Sequence, residues 1–159
     1  MAETKSKLDS YYSKHYDERQ LISRYRISFE TMWLTLILIF ISGMFKVFYG
    51  PWAADNTEMM VLLSLPTTYF AVRAVWKGAY FSIQQKSYTW TIVSFTFVGL
   101  LNLAAFIISI INGGTVIENG ILSENLFQFF LALPFLALVI TYAVKKIMSK
   151  NEEDEEPDE

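Results

Sequence analysis

The chain has no cysteine among its 159 residues and a single histidine, His15. The first absence excludes disulfides, thiol redox chemistry, Cys-ligated metals and palmitoylation. The second excludes the His clusters of membrane hydrolases and desaturases. No glycine-rich phosphate-binding motif occurs. Ala2 stands where N-myristoylation requires glycine. No Asp or Glu lies deep in an apolar run, so proton-coupled antiport of the small multidrug type has no embedded acid to carry it. The chain is therefore expected to be no enzyme, and to use no cofactor, no metal and no nucleic-acid partner.

Hydrophobic residues, by contrast, make up 53% of the sequence. They concentrate in four runs, at 29–49, 57–76, 90–111 and 122–144. At about 1.5 Å of rise per residue, each run covers roughly 30 Å, the hydrocarbon thickness of a bilayer. Buried helices of soluble proteins are usually shorter and keep a polar stripe. The pattern predicts an all-α polytopic membrane protein with four transmembrane helices arranged as two hairpins. The first run starts too late and runs too long for a cleavable signal, so it is expected to act as an uncleaved anchor.

Charge orients these spans. Twelve of the thirteen Lys and Arg residues fall before the first run, around the second connection or after the last run. The connections between the first two and the last two runs hold none. Positive charge retained inside predicts cytoplasmic N- and C-termini. Trp33, Trp76 and Trp90 at inner ends, and Trp52 at an outer end, fit interfacial belts. Asp55, Thr57 and Ser123 are candidate helix caps. Gly50-Pro51 and Asn112-Gly113-Gly114 read as turns.

Three regions follow. Residues 1–28 form a basic cytoplasmic arm, with an amphipathic helix expected from about 6 to 27. A plain helical lead-in to the first span is an equal alternative. Residues 29–147 are the transmembrane domain. Residues 148–159 form an acidic, disordered tail. Seven of the last eight residues are acids, and without them the formal charge moves from −3 to +4. Leu63-Ser64-Leu65-Pro66 in the second span matches Leu131-Ala132-Leu133-Pro134 in the fourth, which would fit a parallel repeat.

Few polar groups enter the spans. Lys46 and Arg73 can snorkel to the outer and inner interfaces, a reading favoured over a cavity role. Asn102 lies near mid-membrane and is expected to bond across helices to Thr67 or Thr68. Gln128 reads as packing or as one wall of an outer vestibule. On the cytoplasmic arm, Asp17-Glu18-Arg19-Gln20 is a candidate interaction site. With this stretch ahead of four spans, the chain resembles small uncharacterised bacterial integral membrane proteins that carry it on an N-terminal cytoplasmic helix. The resemblance implies a bacterial plasma membrane and brings no activity with it.

Two functional readings follow. One is a non-enzymatic accessory, regulatory or oligomeric membrane component working through its cytoplasmic face, with the bilayer and another membrane protein or a second copy as partners. The other is a small transporter, channel subunit or peptide-immunity protein with a path lined by Lys46, Arg73, Asn102 and Gln128.

Overall fold

The computed structural model describes residues 17–81 and 88–154. Four long helices carry the chain: α1 (Glu18–Tyr49), α2 (Asp55–Trp76), α3 (Thr89–Ile111) and α4 (Phe127–Asp154). All four are long and apolar enough to cross a membrane. This is the architecture of a multi-pass membrane protein. Residues 6–16 of the expected amphipathic helix, His15, Lys86 and the last five tail residues lie outside the described residues.

The apolar runs become helices because a chain in hydrocarbon must satisfy its own backbone. Hydroxyls in the spans do the same locally. Thr31, Thr35, Thr96 and Thr141 each donate to the carbonyl four residues earlier. Pro66 and Pro134 sit inside α2 and α4, where each removes one backbone donor. α1 begins at Glu18 and enters the first span without a break, which is the lead-in alternative for residues 18–28. α4 passes the expected boundary at residue 148 and continues to Asp154. α2 stops in a Schellman turn: Gly78 takes φ +67°, and the amides of Gly78 and Ala79 bond Val75 and Ala74.

The main packing runs from α1 to α2, from α2 to α4, and from α4 to α3. α2 and α4 are thus the two inner helices, and the buried side of α2 is built largely of small residues such as Ser64, Ala71 and Ala74. Small side chains let membrane helices approach closely. The same device joins α3 to α4, where the space beside Gly99 is already filled by Leu136. Thr57 meets Ser123 and Val75 meets Lys145, so α2 and α4 run in the same direction. Those contacts join residues 66 and 70 apart in sequence. They bracket the spacing of the two prolines and set Pro66 and Pro134 at similar depth. Large apolar side chains face outward instead, Val47 and Phe48 among them. In water that arrangement would be costly; against lipid it is the expected one.

One connection departs from the all-α expectation. Two-residue strands β1 (Ile117–Glu118) and β2 (Ile121–Leu122) pair antiparallel around Asn119-Gly120. Both turn residues have positive φ, as a tight hairpin requires. Leu122 also exchanges backbone bonds with the connection between α1 and α2, accepting from Ala54 at 2.8 Å and donating to Trp52 at 3.0 Å. The fourth helix consequently starts at Phe127, after a short 3-10 turn, and not at 122. The expected caps do not form. Ala54 holds the N-cap position of α2, the Thr57 hydroxyl reaches across to the Ser123 carbonyl, and the Ser123 hydroxyl donates to the Thr115 carbonyl. Tying two loops together has taken the place of capping one helix.

Candidate functional site

Among the described residues, the ion-paired side chains gather at two stations, both between α1 and α2. At the first, Lys46 on α1 forms an ion pair with Glu58 on α2, and its Nζ lies 3.7 Å from Asp55. Ser42, one turn before Lys46, donates to the Glu58 carboxylate. The Trp52 indole in turn donates to the Ser42 oxygen at 2.9 Å. Ser42 and Glu58 are buried, so the carboxylate leaves water only with a cation and a hydroxyl to meet it.

At the second station Glu30 is the hub. One of its oxygens accepts from the Tyr69 hydroxyl at 2.7 Å and from Arg73 at 3.1 Å. Its other oxygen pairs with Arg26 at 3.3 Å. The Arg73 guanidinium also lies 5.7 Å from the centre of the Tyr69 ring, within cation–π range. Along α1 the stations are roughly 24 Å apart at the helical rise. They therefore lie toward opposite ends of the span.

These pairings are compatible with snorkelling of Lys46 and Arg73 and add a partner for each. Each remains partly exposed, but each is held by a carboxylate on the neighbouring helix. Glu30 is not singled out by the sequence, and Glu58 reads there only as an acid at the start of the second helix, not as the partner of Lys46. A signal existed: α1 carries an acid then a base sixteen residues later, and α2 an acid then a base fifteen later. In an antiparallel pair those orders place opposite signs face to face.

The expected bond between Asn102 and Thr67 or Thr68 does not form. Asn102 donates to Val98 of its own helix at 2.9 Å, and Thr67 to Leu63 of its own. The Thr68 hydroxyl is buried with no bonded partner. The helix order explains this, because α4 packs on both α2 and α3 while those two make no extensive contact. Thr67 moreover faces outward. Gln128 is half-buried away from both stations. None of the larger cavities among the described residues is lined by more than one of Lys46, Arg73, Asn102 and Gln128.

The end of the bundle holding Asp17 and Lys150 is different. Asp17, Glu18 and Arg19 are exposed there, whereas Gln20 donates to the Gly78 carbonyl at 2.8 Å and ties the start of α1 to the end of α2. Two cavities flank that tie. One, of about 570 Å³, is lined by Arg19, Arg26, Arg73 and Lys77 together with Asp17 and Glu30. The other, of about 650 Å³, has Lys145, Lys146 and Lys150 beside Val75, Phe81 and Tyr142. An aromatic group of Tyr80, Phe81, Tyr88 and Tyr142 packs alongside. Burial pushes the Tyr80 hydroxyl above the usual phenol range, with the charge of Arg24 acting in the other direction. Among the described residues, no cluster of His, Cys, Asp and Glu could hold a metal ion.

A family of unknown function, DUF6773, matches residues 12–158. The chain belongs to that family. No curated protein and no solved structure matches it. The family match spans all four helices, both ion-paired stations and both cavities.

Proposed function

We propose that the chain is a non-enzymatic accessory or regulatory component of the plasma membrane. Its four spans form two hairpins, α1–α2 and α3–α4, with both termini cytoplasmic. It acts through its cytoplasmic end on another membrane protein or a second copy of itself. The observation carrying this reading is the pairing of charges within α1 and α2. Lys46 with Glu58, and Arg73 with Glu30, neutralise one another across a single helix interface. That leaves the other described Lys and Arg residues, and the two basic cavities, at one end. The distribution of Lys and Arg supports placing that end inside.

The transport reading requires Lys46, Arg73, Asn102 and Gln128 to share a path, and their separate surroundings argue against it. Complementation of a deletion in the native host discriminates between the two. A chain with Asp17→Asn, Glu18→Gln and Arg19→Gln is expected to reach the membrane and fail to restore the wild-type response. A chain with Lys46 and Glu58 exchanged is expected to restore it. The reverse pattern, at equal membrane levels, would overturn the proposal.

A further inference from the structure

The cavity of about 650 Å³ at the end of α4 is basic on one side and apolar on the other. Lys145, Lys146 and Lys150 supply the charge, and among the described residues no Asp or Glu lines it. Val75, Phe81 and Tyr142 supply the apolar wall. On α4, Lys145 and Ser149 are four residues apart, as are Lys146 and Lys150, so the four form two neighbouring stripes that line the cavity.

Lys145 is held in place by carbonyls, with no carboxylate among the described residues to neutralise it. Its Nζ donates to the carbonyls of Val75 and Trp76, at 3.0 and 3.1 Å. Those carbonyls end α2, where the helix dipole favours a cation. An ammonium has three donors, so one remains for an anion. Gly78 fits against this amine: a Cβ there would stand 3.4 Å from Nζ. The turn ending α2 and the lysine on α4 thus form one preorganised positive corner.

We propose that this cavity binds the phosphate headgroup of an anionic phospholipid. The lysines would take the phosphate, with the glycerol and first methylenes along Val75, Phe81 and Tyr142. A free phosphate would need the lysines and make no use of that wall. The Trp76 and Trp90 side chains are strongly exposed at this end of the bundle, and indoles favour the headgroup layer. Basic pockets between membrane helices on the cytoplasmic side suit such headgroups. The site rests on the orientation proposed above, which turns this end to the inner leaflet.

The test uses the full chain in neutral detergent, titrated with phosphatidylglycerol, phosphatidylcholine and glycerol phosphate and read by native mass spectrometry. Phosphatidylglycerol is expected to bind roughly tenfold or more tighter than phosphatidylcholine, at about fivefold per engaged lysine. Lys146→Gln with Lys150→Gln is expected to abolish most of that preference at unchanged thermal stability. Removing equal charge from the other cavity, by Arg19→Gln with Lys77→Gln, is expected to change affinity less than about twofold. Four results would overturn the site: equal binding of the two lipids, equal loss in the two double variants, competition by glycerol phosphate as strong as by lipid, or binding seen only after residues 155–159 are removed. The last would make the acidic tail the occupant. Loss of lipid preference alongside failed complementation by the Asp17–Arg19 variant removes the site and keeps the working face; the converse removes the face and keeps the site.

Discussion

Lys46 and Glu58 illustrate what a charge needs inside an apolar helix pair. The carboxylate is buried, and it accepts from Ser42 as well as from Lys46. Deleting one member of such a pair strands the other, whereas replacing both with apolar groups of similar size can be nearly neutral. Lys46→Met is therefore expected to lower the thermal midpoint in detergent more than Lys46→Met with Glu58→Met does. Arg73→Met is expected to cost less than Lys46→Met, because Glu30 keeps Arg26 and Tyr69. An additive loss in the Lys46→Met, Glu58→Met double variant would show that the pair does not couple. Tyr69 adds a neutral contact to Glu30, so Tyr69→Phe should weaken that station while leaving its ion pair formed.

At the scale of the elements, close approach and loop ties decide which helix touches which. Gly99 is the buried residue of α3, and a Cβ there would lie 2.7 Å from Cδ2 and 2.9 Å from Cγ of Leu136. Gly99→Ala is expected to cost about 1–3 kcal/mol through overpacking, read as a loss of thermal stability in detergent. The Thr57 side chain is fully buried and bonds the Ser123 carbonyl at 2.8 Å. Thr57→Val keeps the shape and removes that bond, so about 1 kcal/mol of stability should go with it. Unchanged unfolding of both variants would mean that these contacts do not order the helices. The spans were legible in the sequence because hydropathy accumulates along one chain and needs no partner. Asn119-Gly120 was legible too, though its hairpin went unread inside a loop. The pairing of Glu30 with Arg73 was not legible from α1 or α2 alone, since it depends on their register. Asn102 was misplaced for a related reason: depth in the membrane was readable, but the insertion of α4 between α2 and α3 was not.

For the whole molecule, the α1–α2 and α3–α4 connections are bound to each other, and the opposite end carries the two basic cavities and both described chain ends. Ala54, Leu122 and Trp52 join the two loops at one end. Gln20 and Lys145 both reach the turn ending α2 at the other. A cytoplasmic working face requires that second end to lie inside. Because the chain has no cysteine, single substitutions report position without background labelling. Asp17, Asn119 and Ser149 are all exposed. With a membrane-impermeant maleimide on intact cells, Asn119→Cys is expected to label, while Asp17→Cys and Ser149→Cys label only after permeabilisation. Labelling of Ser149→Cys in intact cells, with Asn119→Cys protected, would contradict the account.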